Sequence, residues 1–210
     1  LFYDLTKDSL TEALALLDRC IAADRRYSSA YALACLCHMN RKMLNWDLAG
    51  ETEVNGLQAA KVAIETGKDN PAALASAGIA IAHLGGHLDI DLAQIERSLS
   101  LNPNSALGWW AGGYVHFWLG EHERSIAYFH KAMRLSPLDP LAFRSYAGIG
   151  RPYFFSDRYE EAIAWADKAL SVSPNFVTAL QLKVAAAAMA GRSDAAQEAV
   201  RQLRAVRPDI

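Results

Sequence analysis

Four prolines constrain this chain more than any other feature. Pro103, Pro137, Pro174 and Pro208 follow one another at separations of 34, 37 and 34 residues. Similar text precedes each: Ser-Leu-Ser-Leu-Asn-Pro, Ala-Met-Arg-Leu-Ser-Pro, Ala-Leu-Ser-Val-Ser-Pro and Leu-Arg-Ala-Val-Arg-Pro. Midway through a period a glycine follows an apolar residue, at Leu84-Gly85, Leu119-Gly120 and Ala190-Gly191. Proline cannot continue a helical hydrogen-bond ladder, and glycine suits the left-handed residue that often ends a helix. Each period therefore reads as two helices, the first stopped by Gly and the second by Pro. One such pair cannot bury its own apolar face, so neighbouring pairs must stack.

The segment 106–139 carries Trp109, Gly113, His116, Gly120, Ser125, Phe129, Ala132 and Pro137. This spacing resembles the tetratricopeptide repeat, with His116 and Ser125 in place of the usual Tyr and Ala. A second copy has Leu180, Val184, Ala187, Gly191, Ala196, Val200, Leu203 and Pro208. The resemblance implies an all-α, right-handed α-solenoid of about five to six helical hairpins. We read residues 1–210 as one domain, with repeats at about 1–27, 28–70, 71–105, 106–139, 140–176 and 177–210. Helices are expected near 9–23, 28–41, 53–67, 71–84, 88–101, 105–119, 121–135, 139–155, 157–171, 175–190 and 192–206, with residues 1–8 the remnant of an earlier one.

Two places break the period. Between His38 and Gly56 the chain has extra residues around Trp46, which form either added helical turns or a projecting contact element. The 140–176 repeat is three residues longer than its neighbours, an excess that we place near Gly148–Pro152. Pro152 would there kink a helix, either as a tolerated irregularity or so as to aim Arg144 and Arg151 into the groove.

Composition narrows the function. Apolar residues form 52% and charged residues 21%, a globular balance, and the formal net charge is −2. That leaves no basic field for nucleic acid, and no apolar run reaches the roughly 18 residues a membrane span needs. Cys20, Cys35 and Cys37 read as small buried hydrophobes in a reducing, cytoplasmic setting. The chain opens on Leu1 without an initiator Met, as an excised piece of a longer protein would.

No catalytic residues, metal ligands or cofactor site emerge. There is no nucleophile elbow and no phosphate loop. His83 and His87 stand four apart, but Gly85 and Gly86 interrupt the helix between them. The segment reads as a non-enzyme.

What the chain offers instead is an aromatic stripe. Trp110, Tyr114, Phe117 and Trp118 recur at i, i+4, i+7 and i+8, so they share one helix face. The family resemblance implies that Leu107, Trp110, Tyr114, Phe117 and Trp118 line the concave groove. Ile79 and His83 from one flanking repeat, and Arg144, Arg151 and Gln181 from the other, would join them. An apolar floor beside two arginines suits a peptide with a hydrophobic anchor and an acidic group. Burial by neighbouring repeats and self-association into a homodimer compete with that reading. The Lys and Asn clamp of chaperone-binding relatives is missing, since those positions carry Ala32 and Leu36, Ala75 and Ile79, or Trp110 and Tyr114.

Residues 111–120 together with 134–140 are also similar to C-terminal tetratricopeptide regions of alpha-proteobacterial signalling proteins. Those carry an upstream class III adenylate or guanylate cyclase or a winged-helix domain. The resemblance implies a regulatory or scaffolding tail whose partner is a protein, a peptide or the attached upstream domain.

Overall fold

The computed structural model describes residues 6–44, 46, 50–85 and 88–208, without the side chains of residues 89 and 90. His87, and residues 45 and 47–49 of the insertion, lie outside the described residues, as does most of the expected remnant helix at 1–8. Eleven α-helices and no strand occur among those described: α1 Lys7–Ala23, α2 Ser28–Met43, α3 Glu51–Thr66, α4 Pro71–Leu84, α5 Leu88–Leu101, α6 Ala106–Trp118, α7 His122–Leu135, α8 Ala142–Phe155, α9 Tyr159–Val172, α10 Val177–Met189 and α11 Ser193–Val206. After α1 the order is first helix, second helix, five times over.

The chain forms two compact units, Leu1–Val115 and His116–Ile210. In the first, α1 packs on α2, α2 on α3 and α4, and α4 on α3 and α5. Helix α4 is buried on nearly every side, from Ala73 through Ala80 and again at Ala82 and Leu84. It contains no Asp, Glu, Lys or Arg. Asn70 starts it by accepting hydrogen bonds from the N–H groups of Ala72 and Ala73 at 3.1 and 3.2 Å, with Pro71 at the first helical position.

Helices α2 and α3 each run 16 residues, against 13 or 14 for every later helix, so lengthened helices absorb part of the insertion. Trp46 does not project. It is half-buried against the cluster of Leu10, Ala13 and Cys37, and its N–H donates to the Arg41 carbonyl at 2.9 Å. Cys35 and Cys37 are buried as anticipated, but Cys20 is exposed. In α1 the buried side is carried by Ser9, Leu10 and Ala13, and Cys20 lies off it.

In the second unit α7 packs on α8, α8 on α9 and α10, and α10 on α9 and α11. Backbone contact at the crossings sets the register. A Cβ on Gly150 would stand 2.6 Å from Leu182 Cδ2 and 3.3 Å from the Ala162 carbonyl. In the first unit a Cβ on Gly78 would stand 3.1 Å from the Asp91 carbonyl. Gly150 therefore occupies the crossing position of its hairpin, and Asp91 stands where Ala162 stands. The three extra residues lie before Gly150 and not around it. The connection from Pro137 to α8 is two residues longer than those from Pro103 to α6 and from Pro174 to α10, and α8 is one residue longer than α6 or α10. Helix α8 continues through the buried Pro152 to Phe155.

The turns between first and second helices use left-handed residues at Gly120 (φ 76°), Gly191 (φ 73°) and Asp157 (φ 58°). Gly85, which has the same sequence signature, stays right-handed at φ −113°. Asp157 is the non-glycine member, and short polar side chains tolerate this region best. Its carboxylate accepts a hydrogen bond from the Tyr159 hydroxyl at 2.5 Å.

Candidate partner-binding surface

The first helices share a charge pattern. None of α2, α4, α6, α8 and α10 contains Asp or Glu, while they hold Arg41, Lys42, Arg144, Arg151 and Lys183. The acids among the described residues lie on the second helices, on α1 and in connections. A surface built by first helices is thus neutral to positive.

Within the first unit, Leu107, Trp110 and Tyr114 are half-buried on α6, and Trp110 meets Tyr114 edge to face at 5.1 Å. His83 is half-buried at the end of α4. Ile79 is 1% exposed, so it belongs to the packing of α4 and presents no floor to a ligand.

Within the second unit the end of α6 is held by a polar lock. His116 is 2% exposed, its Nδ1 lies 2.6 Å from Glu121 Oε2, and its ring meets Tyr128 edge to face at 4.5 Å. Arg124, donating to the same carboxylate at 3.1 Å, and then His116 hold the Glu121 carboxyl below its ordinary range. The lock fixes the turn from α6 into α7 and so the direction of Phe117.

Around Phe117 an aromatic cluster forms. Phe155, at the end of α8, lies 5.5 Å from it, and His122 stacks on it at 6.2 Å. His122 Nδ1 is 3.0 Å from Ser156 Oγ, which ties α7 to the end of α8. The Arg151 guanidinium sits 6.0 Å from the Phe117 ring centroid, within range of a cation–π contact. Phe117, Trp118 and Arg151 are half-buried, Gln181 is exposed, and Phe155 is 62% exposed.

Arg144 is 4% exposed, so only one of the two arginines reaches this surface. Sequence reasoning missed Phe155 and His122. With Gly150 as the crossing residue, Phe155 stands two residues before left-handed Asp157, as Trp118 stands two before Gly120 and Met189 two before Gly191. That correspondence was legible, but the extra residues had been placed around Gly150 and not before it. Among the described residues, no three His, Cys, Asp or Glu side chains gather to hold a metal ion. No helix among them is long and apolar enough to cross a membrane.

Residues 106–175 match the tetratricopeptide repeat family. Similarity to solved structures extends the fold across the rest of the chain. The APC/C hetero-tetramer Cut9–Hcn1 gives a TM-score of 0.79 at 15% identity, over 97% of this chain and 38% of that one. PilW, described as a widely conserved type IV pilus biogenesis factor, gives 0.70 at 16% identity, over 97% and 88%. YrrB, described as a TPR protein with an unusual peptide-binding site, gives 0.52 at 20% identity, over 84% of each. No curated protein sequence matches the chain.

Proposed function

We propose that this chain is a protein-interaction module that holds a partner segment on the first-helix face of its second unit, and that it performs no chemistry. The observation that carries the reading is Phe155, a large aromatic left 62% exposed beside Phe117, with Arg151 over the Phe117 ring. Exposed apolar groups clustered beside cationic ones mark contact sites more often than inert surface. The first-helix layer has no acid to repel a carboxylate, so the occupant is a segment with a hydrophobic anchor and an acidic neighbour. The peptide-binding site described for YrrB makes a peptide occupant natural for this fold. The resemblance of residues 111–120 and 134–140 to tails of signalling proteins makes an attached upstream domain the first partner to try.

The double substitution Phe117→Ala/Phe155→Ser tests the proposal. Covering the exposed part of Phe155 contributes about 1.5 kcal/mol, roughly ten-fold in affinity. We expect helical content to stay unchanged while capture of the partner falls by at least that factor. Unchanged capture would mean that the surface is wrongly placed. A halved mass in light scattering would identify the occupant as a second copy of the chain.

A further inference from the structure

We propose a second, separate contact surface on the seam between α7 and α9, where Trp165, Tyr146, Lys168 and Arg134 form a receptor for an acidic peptide segment. It takes Trp165, Lys168 and Arg134 from second helices and Tyr146 from α8, and it does not depend on the Phe117–Phe155 surface.

Lys168 is exposed, yet its ammonium is held in place. Nζ lies 4.5 Å from the Tyr146 ring centroid and 4.8 Å from that of Trp165. The two rings are 6.0 Å apart at 38°, and His130 meets Trp165 edge to face at 5.6 Å. A surface lysine usually spreads its charge over many rotamers, and fixing it costs entropy at the moment of binding. Here two ring faces fix it beforehand, while its N–H groups remain available to an acceptor. Trp165 and Tyr146 are half-buried, so they also supply an apolar platform.

The local charge is uncompensated. Burial, and then the positive charges of Arg134 and Lys168, lower the basicity of His130, which places both cations in reach of one ring. Among the described residues neither Arg134 nor Lys168 forms an ion pair. The acids of α9 are engaged elsewhere: Asp167 with Lys183 at 2.7 Å, Glu161 with Arg158 at 2.7 Å, and Glu160 with Arg192 at 2.5 Å. The one acid of α7, Glu123, lies in its first turn, three helical turns from Arg134. One held cation, Lys168, and a second, exposed one, Arg134, beside half-open aromatic rings complement paired carboxylates flanking an apolar side chain. They are too few, on a chain of net charge −2, to neutralise a run of phosphates.

The test titrates the whole chain with acetyl-Asp-Glu-Leu-Glu-Asp-amide, its Asn/Gln isostere and a ten-nucleotide oligothymidylate, following histidine NMR resonances at low and physiological salt. We expect the acidic peptide alone to bind and to raise the His130 titration midpoint, because its carboxylates offset the two cations. Lys168→Gln/Arg134→Gln should weaken it at least ten-fold with helical content unchanged. Lys168→Arg should retain it, and Phe117→Ala/Phe155→Ser should leave it untouched. Equal binding of the isostere, equal binding by the double Gln variant, preference for the oligonucleotide, or no binding at all would each overturn the proposal.

Discussion

Replacing Asp91 with alanine should stabilise the protein, and by an amount that depends on pH. Asp91 is 0% exposed, and neither carboxylate oxygen has a hydrogen-bond partner among the described residues. It stands at the α4–α5 crossing, where the α8–α9 hairpin has Ala162. Burial raises its pKa from 3.8 to about 7. In the unfolded chain the carboxyl ionises near its ordinary value, whereas in the folded chain it holds its proton until about pH 7. Stability therefore falls as pH rises from about 4, and the loss is complete above about 7. Three units correspond to about 4 kcal/mol at most. Alanine gives back roughly 1–2 kcal/mol through the space it leaves. The expected net gain is about 2–3 kcal/mol at pH 8.5, vanishing or reversing near pH 4. Urea denaturation followed by circular dichroism at pH 4, 5.5, 7 and 8.5 measures it, with Asp91→Asn as the isosteric control. Parallel pH profiles for the wild type and Asp91→Ala would refute the reasoning, since the carboxylate would then have found a partner.

Other perturbations test the packing and the lock. A Cβ on Gly148 would stand 2.6 Å from the Phe129 ring, so Gly148→Ala should cost about 1–3 kcal/mol in thermal or urea melts. Gly120→Ala meets no atom within 4 Å, so its cost of about 1–2 kcal/mol is backbone strain alone, and Gly120→Asn should recover part of it. Glu121→Gln should destabilise at neutral pH. Because the folded-state carboxyl is depressed, its contribution is present above the ordinary value of 4.5 and is lost as pH falls through the lower folded value, so the two proteins should converge in acid. Trp46→Ala should lower stability by about 1–3 kcal/mol and leave partner capture unchanged, because that ring packs on Leu10, Ala13 and Cys37.

The helical hairpins were legible because three devices repeat: proline after each second helix, small residues at crossings, and glycine at turns. Two turns were placed correctly although the device changed: Asp157 does the work of a glycine after α8, and Gly85 has the sequence signature without the left-handed conformation. The longer 140–176 repeat was recognised, but Gly148 and Gly150 compete for the crossing, and only the approach of Gly150 to Ala162 decides between them. Phe155 was consequently overlooked and Arg144 wrongly brought forward. Ile79 shows a different difficulty: apolar content marks a residue as groove floor or as core, and only the packing around α4 separates the two. Cys20 was read by composition, and its position on the helix proved otherwise.

The uneven placement of the three thiols gives the chain a built-in clock for its own opening. Cys35 and Cys37 are sealed in α2, and desolvation pushes the Cys37 thiol up to about 11 and that of Cys35 higher still. Thiolate is the reactive form, so neither sulfur reacts with a disulfide reagent while the helix stays packed. Cys20 answers at once. One rapid equivalent followed by two slow ones would therefore time how often α2 comes away from its neighbours, without any label being introduced.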